Sequence, residues 1–157
     1  MVAEGVRALK GVLPDGWLSW RVVESAGGER RLGGGLVDAL VHVGAPGGQG
    51  ATLLVEAKSG FAPRDVELVV GRLRRAVDQL GRTAAGVVFA PWLSARTRAL
   101  LDGAGVGYLD LTGNVHLRLA EPALFIRVSG AERDPAPVRR VVVVAGGRGR
   151  SGGAVPR

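Results

Sequence analysis

Leu53-Leu54-Val55-Glu56-Ala57-Lys58-Ser59-Gly60 is an apolar run that turns polar at its last residues. On a strand, residues two apart point to the same face, so Glu56 and Lys58 project together while Val55 and Ala57 face the other way. A strand that becomes polar only at its end is the pattern of a buried sheet opening into a cleft at one edge. Leu36 to Val43 reads as the strand before it, with Asp38 on the face of Leu36 and Leu40. Gly44 to Gly50, rich in glycine and carrying Pro46, reads as the hairpin loop between them. That hairpin brings Asp38 toward the end bearing Glu56 and Lys58. Two carboxylates and a backbone carbonyl are hard oxygen ligands for a divalent cation, with water completing the shell. A lysine beside them would orient or help deprotonate an attacking water and screen charge building on a phosphate. The competing reading is a Glu56–Lys58 ion pair at a sheet edge, holding together an interaction module.

Outward from this segment the periodicity alternates between helix and strand. Val2 to Leu13 reads as a helix with Val6, Leu9, Val12 and Leu13 on one arc, ended by Pro14-Asp15-Gly16. Trp17 to Ser25 reads as a strand with Leu18, Trp20 and Val22 as its apolar face, and Ala26 to Gly34 as a turn. Beyond Lys58, Val66, Val69, Val70, Leu73, Val77 and Leu80 recur at helical spacing between Pro63 and Gly81, with Arg64, Arg72, Arg75 and Asp78 on the other face. Ala84 to Ala90 is a short buried strand, and Ser94 caps a helix running to about Asp102. Val106–Leu111, Val115–Leu119 and Leu124–Val128 read as three further strands, the first two joined through Thr112-Gly113-Asn114. The expected order is αβββαβαβββ.

Composition narrows the class. A chain of 157 residues fits one domain and can bury roughly two thirds of its unfolded surface. Cysteine is absent, which excludes a disulfide scaffold, a thiolate zinc site and a thiol nucleophile. No apolar run approaches the roughly 20 residues that span a bilayer, and the charged pattern from Met1 to Leu13 does not suit a signal peptide, so a cytoplasmic location is expected. After Gly130 the sequence turns to Pro, Gly and Arg with a lone Val141–Val144 run. The expected division is therefore a folded domain over 1–130 and an irregular tail over 131–157. Six arginines against Glu132 and Asp134 give that tail a net charge of +4, leaving +3 for the body. A basic protein suits polyanions, nucleic acid first among them.

Asp38, a short hairpin, and Glu56-Ala57-Lys58 on an apolar strand followed by a helix resemble the PD-(D/E)XK nuclease superfamily. The resemblance implies an α/β, restriction-endonuclease-like core of order αβββαβ, here with an additional C-terminal helix and strands. It implies Mg²⁺- or Mn²⁺-dependent phosphodiester hydrolysis on DNA, with Asp38 and Glu56 as metal ligands and Lys58 as catalytic lysine. Val37 stands where the family motif has its proline. A narrower resemblance rests on Gly107-Tyr108-Leu109-Asp110-Leu111-Thr112-Gly113-Asn114, similar to small bacterial proteins that pair this domain with a winged helix, some of them regulators or type IV antitoxins of abortive-infection systems. That resemblance implies the alternative of a nuclease-fold DNA-binding protein that no longer cuts; no winged helix is recognisable after Gly130.

Arg72 and Arg75 would contact phosphates from the helix flanking the cleft. The partners expected are DNA, with homodimerisation allowed and no membrane. Glu4 points away from the apolar arc of its helix, and Glu24, closing the apolar face of the first strand, reads as a strand-end residue meeting solvent, with a further acid near the metal as the alternative. Gln79 reads as a surface residue, Asp110 as the anchor of the Thr112–Asn114 turn, and His116 as exposed. His42 lies four residues from Asp38, about 13 Å along an extended strand and too far to join the site.

Overall fold

The computed structural model describes residues 1–21, 30–32 and 35–135. Helix α1 (Val2–Val12) is followed by strands β1 (Leu18–Arg21), β2 (Arg30–Leu32), β3 (Gly35–Val37), β4 (Ala39–Gly44) and β5 (Gly50–Ala57). Then come α2 (Val66–Leu80), β6 (Ala84–Ala90), α3 (Ala95–Gly103), β7 (Gly107–Asp110), β8 (Val115–Leu119) and β9 (Leu124–Val128). Seven strands form one sheet in the order β1-β4-β5-β6-β7-β8-β9, and β2 and β3 form a separate pair. β5, β6 and β7 run parallel, while the outer pairings are antiparallel. The Gly44–Gly50 hairpin closes β4 on β5, with Gly44 opposite Gly50.

Helices cover the two faces of the sheet. Leu9 of α1 packs with Val41, Leu53, Val55, Val87, Phe89 and Leu117 on one face. Val66, Val69, Val70, Leu73 and Ala76 of α2 pack with Leu54, Val88 and Tyr108 on the other, joined by Leu101 of α3. This explains the unbroken apolar run of β5: a central strand is buried on both sides, so alternation disappears until the strand ends. Helix α2 starts through a tight turn over Pro63–Asp65, where the Ala62 amide donates to Asp65 Oδ2 at 2.8 Å. Ser94 caps α3, its hydroxyl accepting from the Thr97 amide at 3.1 Å.

The structure corrects several sequence readings. Leu36–Val43 is not one strand: it bends at Asp38, where β3 leaves the main sheet to pair with β2. The segment read as a turn over Ala26–Gly34 contains β2 at Arg30–Leu32. The apolar face of β1 is uncovered, with Leu18 67% and Trp20 50% exposed. β1 is an edge strand, and α1 lies over the opposite face, where Ser19 sits opposite Val43. His116, expected at the surface, is only 6% exposed. β8 is flanked by β7 and β9, and the imidazole lies edge-on between Tyr108 and Phe125, each about 5.5 Å away between ring centres, with Nδ1 3.1 Å from Asp102 Oδ1. Glu24 and Val141–Val144 lie outside the described residues. Among the described residues no helix is long and apolar enough to cross a membrane.

α1 approaches the sheet through Gly5, which is buried against Phe89 of β6. A Cβ at this position would lie 2.2 Å from Phe89 Cδ2, inside a ring that is itself fully buried. Gly5→Ala should therefore destabilise the domain by about 1–3 kcal/mol through overpacking, despite alanine's advantage of up to about 1 kcal/mol in a helix. Denaturant unfolding checks this, with Gly11→Ala, where the added methyl meets open space, expected to be neutral or stabilising.

Candidate active site

Glu56 is the penultimate residue of β5 and pairs with Val88 of β6. Being hemmed in by β4 and β6 fixes its backbone, and the residue is 2% exposed. The Lys58 amide donates to the Phe89 carbonyl at 2.9 Å, carrying the pairing with β6 one step past the strand end. Asp38 stands at the bend between β3 and β4. Its amide donates to the Val55 carbonyl at 2.9 Å, and its Oδ2 accepts from the Ala57 amide at 2.7 Å. A main-chain donor thus orients the Asp38 carboxylate toward the end of β5, and Asp38, Glu56 and Lys58 share one edge of the sheet.

The fourth member comes from α2. Arg72 precedes buried Leu73 and follows buried Val69 by three positions, so it lies on the flank of the helix's apolar stripe. Its Nη1 donates to Glu56 Oε1 at 3.1 Å. Burial pushes the Glu56 carboxyl above the ordinary glutamate range, and the neighbouring Asp38 carboxylate pushes it further; Lys58 and Arg72 pull it back. Two close carboxylates held beside two cations form a site with a strong local field. Among the described residues no three His, Cys, Asp or Glu side chains converge as a ligand cluster. The carboxylates that stand near one another at this edge are those of Asp38 and Glu56.

The other sequence candidates separate from this group. Arg75 is exposed one helical turn beyond Arg72. His42 is bonded through Nδ1 to Thr52 Oγ1 at 2.9 Å and lies against Trp20. Glu4 and Gln79 are exposed. Asp110 anchors its turn, as the sequence suggests: it is buried, and its carboxylate accepts from the amides of Leu93, Thr112 and Asn114 and from the side chains of Thr112 and Asn114. This knot also holds the chain exit. Gly130 N donates to Asn114 Oδ1 at 2.8 Å, and the Ala131 carbonyl accepts from Trp92 Nε1 and Asn114 Nδ2, each at 3.0 Å. Ala131, on the tail side of the composition shift, is bonded into the body.

Arg96 escaped the sequence reading, and Arg64 entered it only as part of the polar face of its helix. Arg64 and Arg96 are exposed and line one groove with Ala62, Pro63 and Leu100, at the starts of α2 and α3. Both helices begin where the parallel strands end, so this groove adjoins the edge that carries Glu56. Arg64 falls before the helical repeat and Arg96 lies in a different helix; no periodicity links them.

No family model and no curated protein matches this chain. Solved structures do. The EndoMS–dsDNA2 complex aligns with a TM-score of 0.50 at 20% identity, over 71% of this chain and 42% of that one. A repair endonuclease from Pyrococcus abyssi aligns with a TM-score of 0.49 at 19% identity, over 70% of this chain and 43% of that one. The chain thus spans less than half the length of these proteins. At such identity the likeness is one of architecture alone, and the alignment with the EndoMS–dsDNA2 complex bears out the expected restriction-endonuclease-like fold.

Proposed function

We propose that the domain is a divalent-metal-dependent nuclease acting on DNA phosphodiesters. The observation that carries this reading is the meeting of Asp38, Glu56 and Lys58 at the end of β5, with the Asp38 carboxylate oriented by the Ala57 amide. The donor set fits a hard cation, since it offers carboxylate and carbonyl oxygens and no sulfur or imidazole. Asp38 and Glu56 would hold Mg²⁺ or Mn²⁺, and such an ion supplies a water activated at neutral pH and positive charge for a phosphate oxygen. Lys58 would stabilise charge developing on the phosphate and orient the attacking water. A second reading, a nuclease-fold protein that binds DNA without cutting, is favoured by Arg72, which already neutralises Glu56. Cleavage of plasmid DNA with Mg²⁺ or Mn²⁺, beside a Glu56→Ala control, decides between them.

For DNA binding the reading relies on Lys58, Arg64, Arg96 and Arg75, with the basic tail as a further contributor. The EndoMS–dsDNA2 complex is a protein–DNA complex, and what supports the reading here is the architecture shared with it.

Three outcomes are expected. Metal should raise the melting temperature of the wild type by mass action, about 2.7 kcal/mol at a hundred times the dissociation constant, and Asp38→Asn and Glu56→Gln should abolish the shift in differential scanning fluorimetry. Without metal, folding favours the protonated form of Glu56, because its pKa is raised. That contribution is complete below the ordinary glutamate value of about 4.3 and is lost as pH rises through the folded value. Thermal melts in EDTA from pH 4 to 8 should show wild-type stability falling relative to Glu56→Gln as pH increases. For nucleic acid, each neutralised phosphate contributes about 0.9 to the slope of log affinity against log salt. Arg64→Ala with Arg96→Ala should flatten that slope by nearly 2 in fluorescence anisotropy titrations, on the same two-contact arithmetic. Arg75→Ala alone should flatten it by at most about 1.

A further inference from the structure

We infer that Arg72 is a built-in counter-cation that competes with the divalent metal for Glu56, so that metal loading requires Arg72 to give up its hold on that carboxylate. The inference rests on the metal-site reading above and adds the group that regulates it. Asp38 Oδ2 accepts from the Ala57 amide, and Glu56 Oε1 accepts from Arg72 Nη1. The first engagement comes from main chain and adds no charge. The second places a full positive charge on the carboxylate that would face the metal, and a guanidinium and a divalent ion repel at such range.

The two partners of the ion pair differ in freedom. Glu56 is on a central strand, with its side chain 3% exposed, and cannot leave the site. Arg72 reaches in from the flank of α2, with its side chain 34% exposed, so its guanidinium has a route to water. Arginine stays charged at any pH the protein meets and cannot yield by deprotonation. Movement is its one way out. In the metal-free protein the same contact offsets the repulsion between two carboxylates that would otherwise stand close together in a buried place. A purely structural ion pair and a competing one therefore make opposite statements about metal affinity: losing the first loosens the site, whereas losing the second clears it.

The test is Mn²⁺ binding by isothermal titration calorimetry at pH 8, with wild type, Arg72→Met, Arg72→Lys and Glu56→Gln, all folded by circular dichroism. Arg72→Met should bind at least tenfold more tightly, about the effect of removing a unit charge a few ångströms from a divalent ion even when the pair is screened almost as in water. Arg72→Lys should stay near wild type, and metal-free Arg72→Met should melt lower than wild type while gaining a larger metal-induced shift. Should Arg72→Met not fold, Arg72→Gln against Arg72→Lys reads the same contrast. Equal or weaker binding by the neutral variant, with wild-type binding abolished by Glu56→Gln, overturns the competition and leaves the metal site standing. Absence of Mn²⁺ binding in every variant, or binding indifferent to Glu56→Gln, overturns the site reading and this inference with it.

Discussion

The 2.7 Å hydrogen bond from the Ala57 amide to Asp38 Oδ2 ties the local geometry of the domain to its chemistry. It is a charge-assisted contact, of the kind that is both shorter and stronger than a neutral one. Its donor is the last residue of the strand that carries Glu56, and its acceptor sits where β3 parts from β4. One bond therefore holds the bend, sets the facing of a carboxylate, and fixes the distance between two segments whose side chains would repel. Without it, the Leu36–Val43 segment could run straight as the alternation suggests, and Asp38 would answer only to its rotamer. The parallel pairing of β5 with β6, extended by the Lys58 amide on Phe89, supplies the rigid floor against which this bond acts.

Much of this arrangement was legible in the sequence because it follows from period and position. The run from Leu53 to Val55 could only be a strand buried on both faces or a helix fragment, and the turn residues on each side favoured the strand. Glu56 and Lys58 then fell on one face by parity, and the hairpin brought Asp38 to them. What stayed hidden depended on which neighbour covers which face. Leu18 and Trp20 alternate as a buried strand would, yet β1 is an edge and its helix lies on the other side. His116 shares its strand face with Asn114 and Arg118, both polar, but β9 and β7 enclose it. Arg72 reads in sequence as a phosphate contact on the polar face of its helix, because a helical wheel gives direction without reach. A long side chain on the flank of an apolar stripe can bend under the helix, and its position three residues after Val69 was the available hint.

Two buried carboxylates show how burial alone says little about role. Asp110 receives five hydrogen bonds, four from the loop that it organises and one from the Leu93 amide, so its environment is complete and its work is architectural. Glu56 is buried as deeply but faces another carboxylate, with the Arg72 guanidinium donating to its Oε1. Its environment is tense where that of Asp110 is settled. Charged groups held in such imperfectly matched surroundings are the ones that gain by meeting something from outside. The Thr112–Asn114 signature thus belongs to the frame of the fold.

The seam formed by Gly130 and Ala131 has a consequence for everything downstream. Asp110 and Ala90 end neighbouring parallel strands on the edge where Glu56 stands, and the loops following them grip the departing backbone through Trp92, Thr112 and Asn114. Gly130 is wedged so closely that a Cβ there would lie 2.5 Å from the Asn114 nitrogen and the Thr112 oxygen. The polypeptide is thereby launched from the rim of the cleft, whatever conformation the following residues adopt. A cargo joined at that end is delivered to the doorway: a basic segment would lend its charge to whatever occupies the cleft, and a bulky tag would stand in the way.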